Sequence, residues 1–173
     1  SVRSKTLISA VTSNGLDFEF DHQVHDLRSE QVDYDTAGLT AAEPVSPETE
    51  GDCWTMIYSA WQDVPVGTVV PIHPSSDTDL SKSGTSIDFA RASIAVDMAG
   101  YRSRIFESHS MDGQSWSQGQ CVIDGGGYDE DELDAVHAED MSLIKVSQGL
   151  LRMYYAACDK HGNWRIVSAH TEA

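Results

Sequence analysis

Two short acidic runs stand in the same relation to two methionine-bearing segments. TAAEPV (residues 40–45) precedes CWTMIYSAW (53–61), and HAEDMSL (137–143) precedes LLRMYYAAC (150–158). Glu43, and the pair Glu139 and Asp140, therefore each lie about a dozen residues ahead of a methionine, Met56 or Met153. Carboxyl groups brought together from two such places can divide the work of proton transfer, one holding a proton to give while the other is ionised to take one. Convergence itself creates the difference, because neighbouring carboxylates repel and at least one then keeps its proton near neutral pH. His137, two residues before Glu139, stands within reach of that pair, and Asp33 and Asp35 are further carboxylates in the connection ahead of Glu43. In a chain with 28 acidic residues each of these is as readily a solvated residue at the start of a strand, so the elements that carry them have to decide.

Those elements read as strands. KTLISAVT, CWTMIYSAW, ASIAV, YRSRIFESHS, QCVID, MSLIKV, LLRMYYAAC and WRIVSAH are rich in β-branched and aromatic residues and bounded by Gly, Asn, Asp or Ser. In WRIVSAH both alternating faces are mostly apolar, as suits sheets covered on both sides. The best helix candidate is DEDELDAVHAEDM (129–141), room for a turn or two without an apolar stripe. Residues 64–86, with Pro, Gly, Ser and Asp, read as a long loop serving a site or an interface.

The strands repeat. AVTSNGLDF (10–18) and SHSMDGQSW (108–116) both place a hydroxyl residue, then Asn or Asp, then Gly, then an aromatic three positions on, at an offset of 98 residues. Asn-Gly and Asp-Gly tolerate the positive φ of a tight connection between antiparallel strands. Met56, Tyr58 and Ala60 match Met153, Tyr155 and Ala157 at an offset of 97, and His109 matches His170. From Tyr58 to Ser108 is 50 residues, against 13 from Tyr155 to Ser168, so the first copy holds an insertion of 37. Turn, strand and acidic lead-in recurring in one order mark a repeat architecture.

Composition narrows the function. The formal net charge of -17, with only four lysines, repels nucleic acid and anionic membranes, and neither is an expected partner. Excess Asp over Lys resembles proteins of halophilic or marine organisms. There is no apolar run of membrane-spanning length and no signal-like start. Cys53, Cys121 and Cys158 lack the close spacing of a zinc site and leave one thiol over in any disulfide scheme, which fits a reducing, cytoplasmic setting. His22 and His25, three apart, lack further ligands, and no metal or other cofactor is expected.

With MIYSA and MYYAA on strands and RIFESHSMDGQSW running into the hairpin, the chain resembles the blade repeat of five-bladed β-propeller carbohydrate enzymes, the group of arabinanases, β-xylosidases, invertase-like fructosidases and mannoside phosphorylases. The resemblance implies an all-β fold of four-stranded antiparallel blades. Residues 3–27 supply two strands of one blade, 38–123 a whole blade with its insertion, and 137–171 three strands of another, about two and a half blades. Half a ring leaves apolar end faces open, so the chain is either part of a longer enzyme or completed by a second copy as a homodimer.

The resemblance also implies roles. Glycoside cleavage uses one carboxyl to protonate the leaving oxygen and a second to activate water or attack the sugar. At the inner ends of first strands these are Glu43, Glu139 and Asp140, with Glu139 the acid because it begins a strand. The third carboxylate of the group comes from a strand this chain does not contain, and Asp33 and Asp35 are its nearest substitutes. His137 is placed to hydrogen-bond a sugar hydroxyl or a pocket carboxylate, and Trp61, beside the long loop, to stack on a sugar ring; Trp54 and Trp164 are expected to pack between blades, and His109 and His170 to be structural. Two functions follow from one layout: a carbohydrate-active enzyme of glycoside-hydrolase type, or a sugar-binding or assembly module that kept the blades and lost the full acid set.

Overall fold

The computed structural model describes residues 7–24, 36–63, 101–125, 131–147 and 149–171. His25, Asp33, Asp35 and the loop read at 64–86 lie outside them. The described chain is all-β, with no helix, and forms three antiparallel sheets of two, four and three strands and no closed barrel. β1 (Leu7–Val11) and β2 (Glu19–Val24) pair with each other. The middle sheet runs β3 (Thr36–Val45), β4 (Trp54–Asp63), β5 (Tyr101–Ser110) and β6 (Gln120–Ile123) in sequence order. β7 (His137–Ser147), β8 (Leu150–Cys158) and β9 (Trp164–His170) make the last. The helix candidate is overturned: residues 131–136 are a turn region and His137 opens a strand, because its carboxylates give no apolar stripe to bury while Ala138 and Met141 pack as strand residues.

Alternation along β4 explains the layering. Met56, Tyr58 and Ala60 point to one face and Ile57 and Ser59 to the other, and all five are buried. The first set gathers Leu39 and Phe106 into one core, where the Tyr58 and Phe106 rings stack 5.5 Å apart. On the opposite face Ile57 and Ile105 pack against Ala138, Met141, Met153, Tyr155 and Ala157 of the last sheet, so the two larger sheets share a core. Each large apolar side chain so buried contributes about 1.5–3 kcal/mol of transfer free energy.

The repeat holds in the register. Met56 stands opposite Pro44 and Ser108, and Met153 opposite Leu143 and Ala169. His109 opposes Thr55 as His170 opposes Arg152. Ser108 thus corresponds to Ala169 and not to Ser168, one position from the match drawn on the sequence. The two Gly turns are the same object. The hydroxyl of Thr12 accepts from the Gly15 amide at 3.0 Å, and that of Ser110 from the Gly113 amide at 2.9 Å. Asn14 Oδ1 accepts from the amides of Leu16 and Asp17, both at 2.9 Å; Asp112 Oδ1 accepts from those of Gln114 and Ser115 at 2.8 and 2.7 Å. Gly15 and Gly113 carry φ of 75° and 72°, which a residue with a Cβ adopts only with strain.

Candidate functional site

Of the site residues read from the sequence, Glu43 falls on β3 and His137, Glu139 and Asp140 on β7, the first strands of the two larger sheets. Leu39 opposes Ala60 and Ala42 opposes Tyr58 in one sheet; Ala138 opposes Ala157 in the other, and past the bulge Leu143 opposes Met153 as Pro44 opposes Met56. Both first strands break register in this stretch, between Leu39 and Ala42 and between Glu139 and Ser142. A bulge adds a residue to one strand, bends it and re-aims its side chains. Counting from the matched flanks, Glu139 and Asp140 occupy in β7 the places of Thr40 and Ala41 in β3. Glu43 corresponds to Ser142, so the two acidic lead-ins are not equivalent, a correction to the sequence alignment.

At the β7 bulge the backbone is unusual. Asp140 is exposed with φ of 51°, the left-handed region that few residues other than Gly enter, although Asp tolerates it better than most. Glu139 beside it is buried, at 2 % exposure, and His137 is fully enclosed. His137 Nδ1 shares a hydrogen bond with the Ser103 hydroxyl at 3.0 Å, and its ring stacks on Trp164 with centroids 5.2 Å apart and planes 15° from parallel. Ser103 belongs to β5, so this bond ties the middle sheet to the start of β7. Cys158, opposite His137, has its thiol pushed up to about 12 by burial, with the negative charges of Asp159 and Glu139 adding.

An arginine holds this strand end in place. Arg104 is 1 % exposed, and its guanidinium donates to the carbonyls of Ser103 at 2.7 Å, Ala135 at 2.9 Å and Val136 at 3.1 Å, and to Asp124 at 3.1 Å. A planar fork of donors suits this bridging of several backbone acceptors, which a point charge cannot reproduce. Arg102 reaches the same Asp124 carboxylate at 2.5 Å. The approach to β7 is closed further by Gly125, where a Cβ would lie 2.2 Å from the Asp134 carbonyl oxygen, and by the Tyr155 hydroxyl, which donates to Asp134 at 2.7 Å. Burial, then that hydrogen bond, raises the Tyr155 phenol above its ordinary range.

Glu43 is placed differently. Its Oε2 accepts from the Leu143 amide at 2.8 Å, satisfying a donor on the edge of the next sheet's first strand. Near it Lys145 pairs with Glu48 at 2.5 Å, and the pairing lowers the Glu48 carboxyl below its ordinary range. The structure brings His137 and Glu139 to one buried strand end and joins Glu43 to the same strand beyond the bulge. The Trp61 backbone stands opposite Gly38 and Ser103; its side chain, like Asp35 as a whole, lies outside what is described. Among the described residues no three His, Cys, Asp or Glu side chains group as a metal site needs. Ser103, Arg104 and Asp124 escaped the sequence reading. The available signal was two arginines in YRSRIF, alternate positions of a strand in a chain poor in positive charge.

No family profile matches the chain, and no curated protein matches it. Among solved structures it is similar to one described as a glycoside hydrolase and to one described as a BT0996 RGII complex. Each is 13 % identical with a TM-score of 0.46, over 95 % of this chain and 35 % of the other. The chain thus spans about a third of the length of the structures it resembles. Similarity at that level leaves activity to be argued from this chain's own residues.

Proposed function

We propose that the three sheets are successive blades of a carbohydrate-active propeller and that Glu139 is its general acid, with His137 holding the strand end that presents it. The observation that carries this reading is the buried Glu139 at a register break, next to Asp140 in a strained backbone conformation. Bulges and strained residues concentrate where a side chain must be aimed at a ligand. Burial away from water is also how a carboxylic acid keeps a proton to donate. The base or nucleophile and the remaining pocket wall come from blades beyond these, supplied by more of a longer polypeptide or by a second copy. The apolar outer face of the last sheet, where Ile144, Tyr154 and Ile166 are exposed, supports such an assembly, and light scattering at high salt reads it.

A second reading, a sugar-binding module without turnover, is favoured by one observation: Glu43, a carboxylate expected in the pocket, instead accepts the Leu143 amide. The Glu139→Gln substitution separates the two. An enzyme loses most of its turnover of natural oligosaccharides while its binding persists, and a binding module shows no turnover before or after. Absence of turnover by the unaltered protein on aryl glycosides and oligosaccharides, with and without phosphate, at every salt concentration, retires the enzyme reading.

A further inference from the structure

Away from β7, at the Gly113 turn, a second group of chemically able side chains meets. Cys53 is exposed just before β4, with its Sγ 3.8 Å from Nδ1 of His109 on β5. The Thr55 hydroxyl lies 3.3 Å from the same nitrogen. The other ring nitrogen, Nε2, faces Glu107 Oε1 at 3.7 Å. Cys53 and His109 open onto a cleft of about 420 Å³, also lined by Met111, Asp112, Trp116 and Ser117. A nucleophile within reach of a base, and the base oriented by a third group, is the arrangement that activates a side chain for attack. The strand positions are repeated in the last sheet, where His170 matches His109, but the thiol is not. Leu150 takes its place, so the last sheet does not repeat the group.

We propose that Cys53 is a reactive thiol that exchanges with cationic or neutral low-molecular-weight disulfides. His109 Nδ1 takes the thiol proton as the sulfur attacks one sulfur of the disulfide. The S–S bond breaks with its electron pair leaving on the departing thiolate, and the His109 imidazolium, steadied by Glu107, returns the proton to it. One small thiol is released, the protein holds the other half as a mixed disulfide, and the disulfide itself is the oxidant. Asp112, which lines the cleft, and Glu107 beside the His109 ring, together with the net charge of -17, select against anionic reagents. No hydrolysis is proposed, because the amides of Gly113, Gln114 and Ser115 are already turned inward to Ser110 and Asp112.

The test is the rate of mixed-disulfide formation by the folded protein with cystamine and with glutathione disulfide, located by peptide mass spectrometry. Cystamine should modify Cys53 first and faster than glutathione disulfide, with the gap narrowing as salt is raised. His109→Asn should slow modification by about a hundredfold, the low end of what a positioned base contributes, although it leaves Cys53 as open to solvent. Cys158, buried in the fold, serves as an unfolding monitor; if it is labelled in that variant, Glu107→Gln is read instead and should also slow the reaction. An unchanged Cys53 rate in the folded variant, or equal rates with both disulfides at low salt, overturns the proposal and leaves Cys53 as an exposed thiol with no assistance.

Discussion

Replacing Arg104 with Met should destabilise the fold by about 3–5 kcal/mol. The methionine keeps most of the buried stem, so the loss falls on the guanidinium. Without it the carbonyls of Ser103, Ala135 and Val136, bonded at 2.7, 2.9 and 3.1 Å, lose a donor in a place that admits little water. An unmet buried polar group costs about 1–3 kcal/mol. Two of the three bonds going uncompensated would suffice for the figure given. The ion pair to Asp124 contributes little of it, because that carboxylate is 52 % exposed and screened by solvent. Asp124→Asn is therefore the control and should cost less than about 1 kcal/mol. Arg104→Lys should fall between them, since an ammonium cannot span three carbonyls. Urea unfolding of the four proteins, compared at constant m-value, gives the numbers. If Arg104→Met and Asp124→Asn come out equal, the carbonyl bridging is not what anchors β7 and the reasoning fails.

Two further outcomes are expected. Amide donors from Ser115 and then Gln114 hold the Asp112 carboxyl well below the usual carboxylate range. A group depressed in this way stabilises the fold above its unfolded pKa of about 4 and loses that contribution as pH falls through its folded value. Asp112→Asn, which copies Asn14, should accordingly flatten the acid limb of the stability profile below about pH 4, read by thermal melts at several pH values. Glu43→Gln keeps an oxygen for the Leu143 amide and should cost under about 1 kcal/mol, whereas Glu43→Ala should cost about 1–3 kcal/mol by urea unfolding; equal losses would mean that the 2.8 Å bond is not what Glu43 supplies.

Local chemistry was legible in the sequence and long-range chemistry was not. The Asn14-Gly15 and Asp112-Gly113 turns could be matched because each is closed by side chains within three residues of itself. Met56 and Met153, and His109 and His170, could be matched because alternation along a strand is a local code. The equation of Glu43 with Glu139 failed because the chain from Pro44 to Met56 is two residues longer than that from Leu143 to Met153, a difference that only the strand pairing reveals. Ser108 was matched to Ser168 for a similar reason, since a long insertion hides a difference of one residue. Arg104 was passed over because arginine is ordinarily a surface residue, and its burial depends on carbonyls some thirty positions downstream. For Glu139 the sequence supplied a carboxylate at a strand start; that it is enclosed, beside a histidine tied to the neighbouring sheet, required the fold.

The matched stretches between Leu39 and Ala42 and between Ala138 and Met141 have a consequence for how such a chain diversifies. One copy of the duplicated unit carries Thr40 and Ala41 in the slot where the other carries Glu139 and Asp140. The molecule thus holds a blank beside its charged version, on strands of the same order and register. A lineage, or an experimenter, can rewrite the blank without disturbing the template, and the left-handed backbone found at Asp140 and not at Ala41 is what the rewriting still has to reproduce. Acidic residues written at 40 and 41 would add a second charged strand start to the chain through two substitutions, and chimeras exchanging the two slots would show how far each is interchangeable.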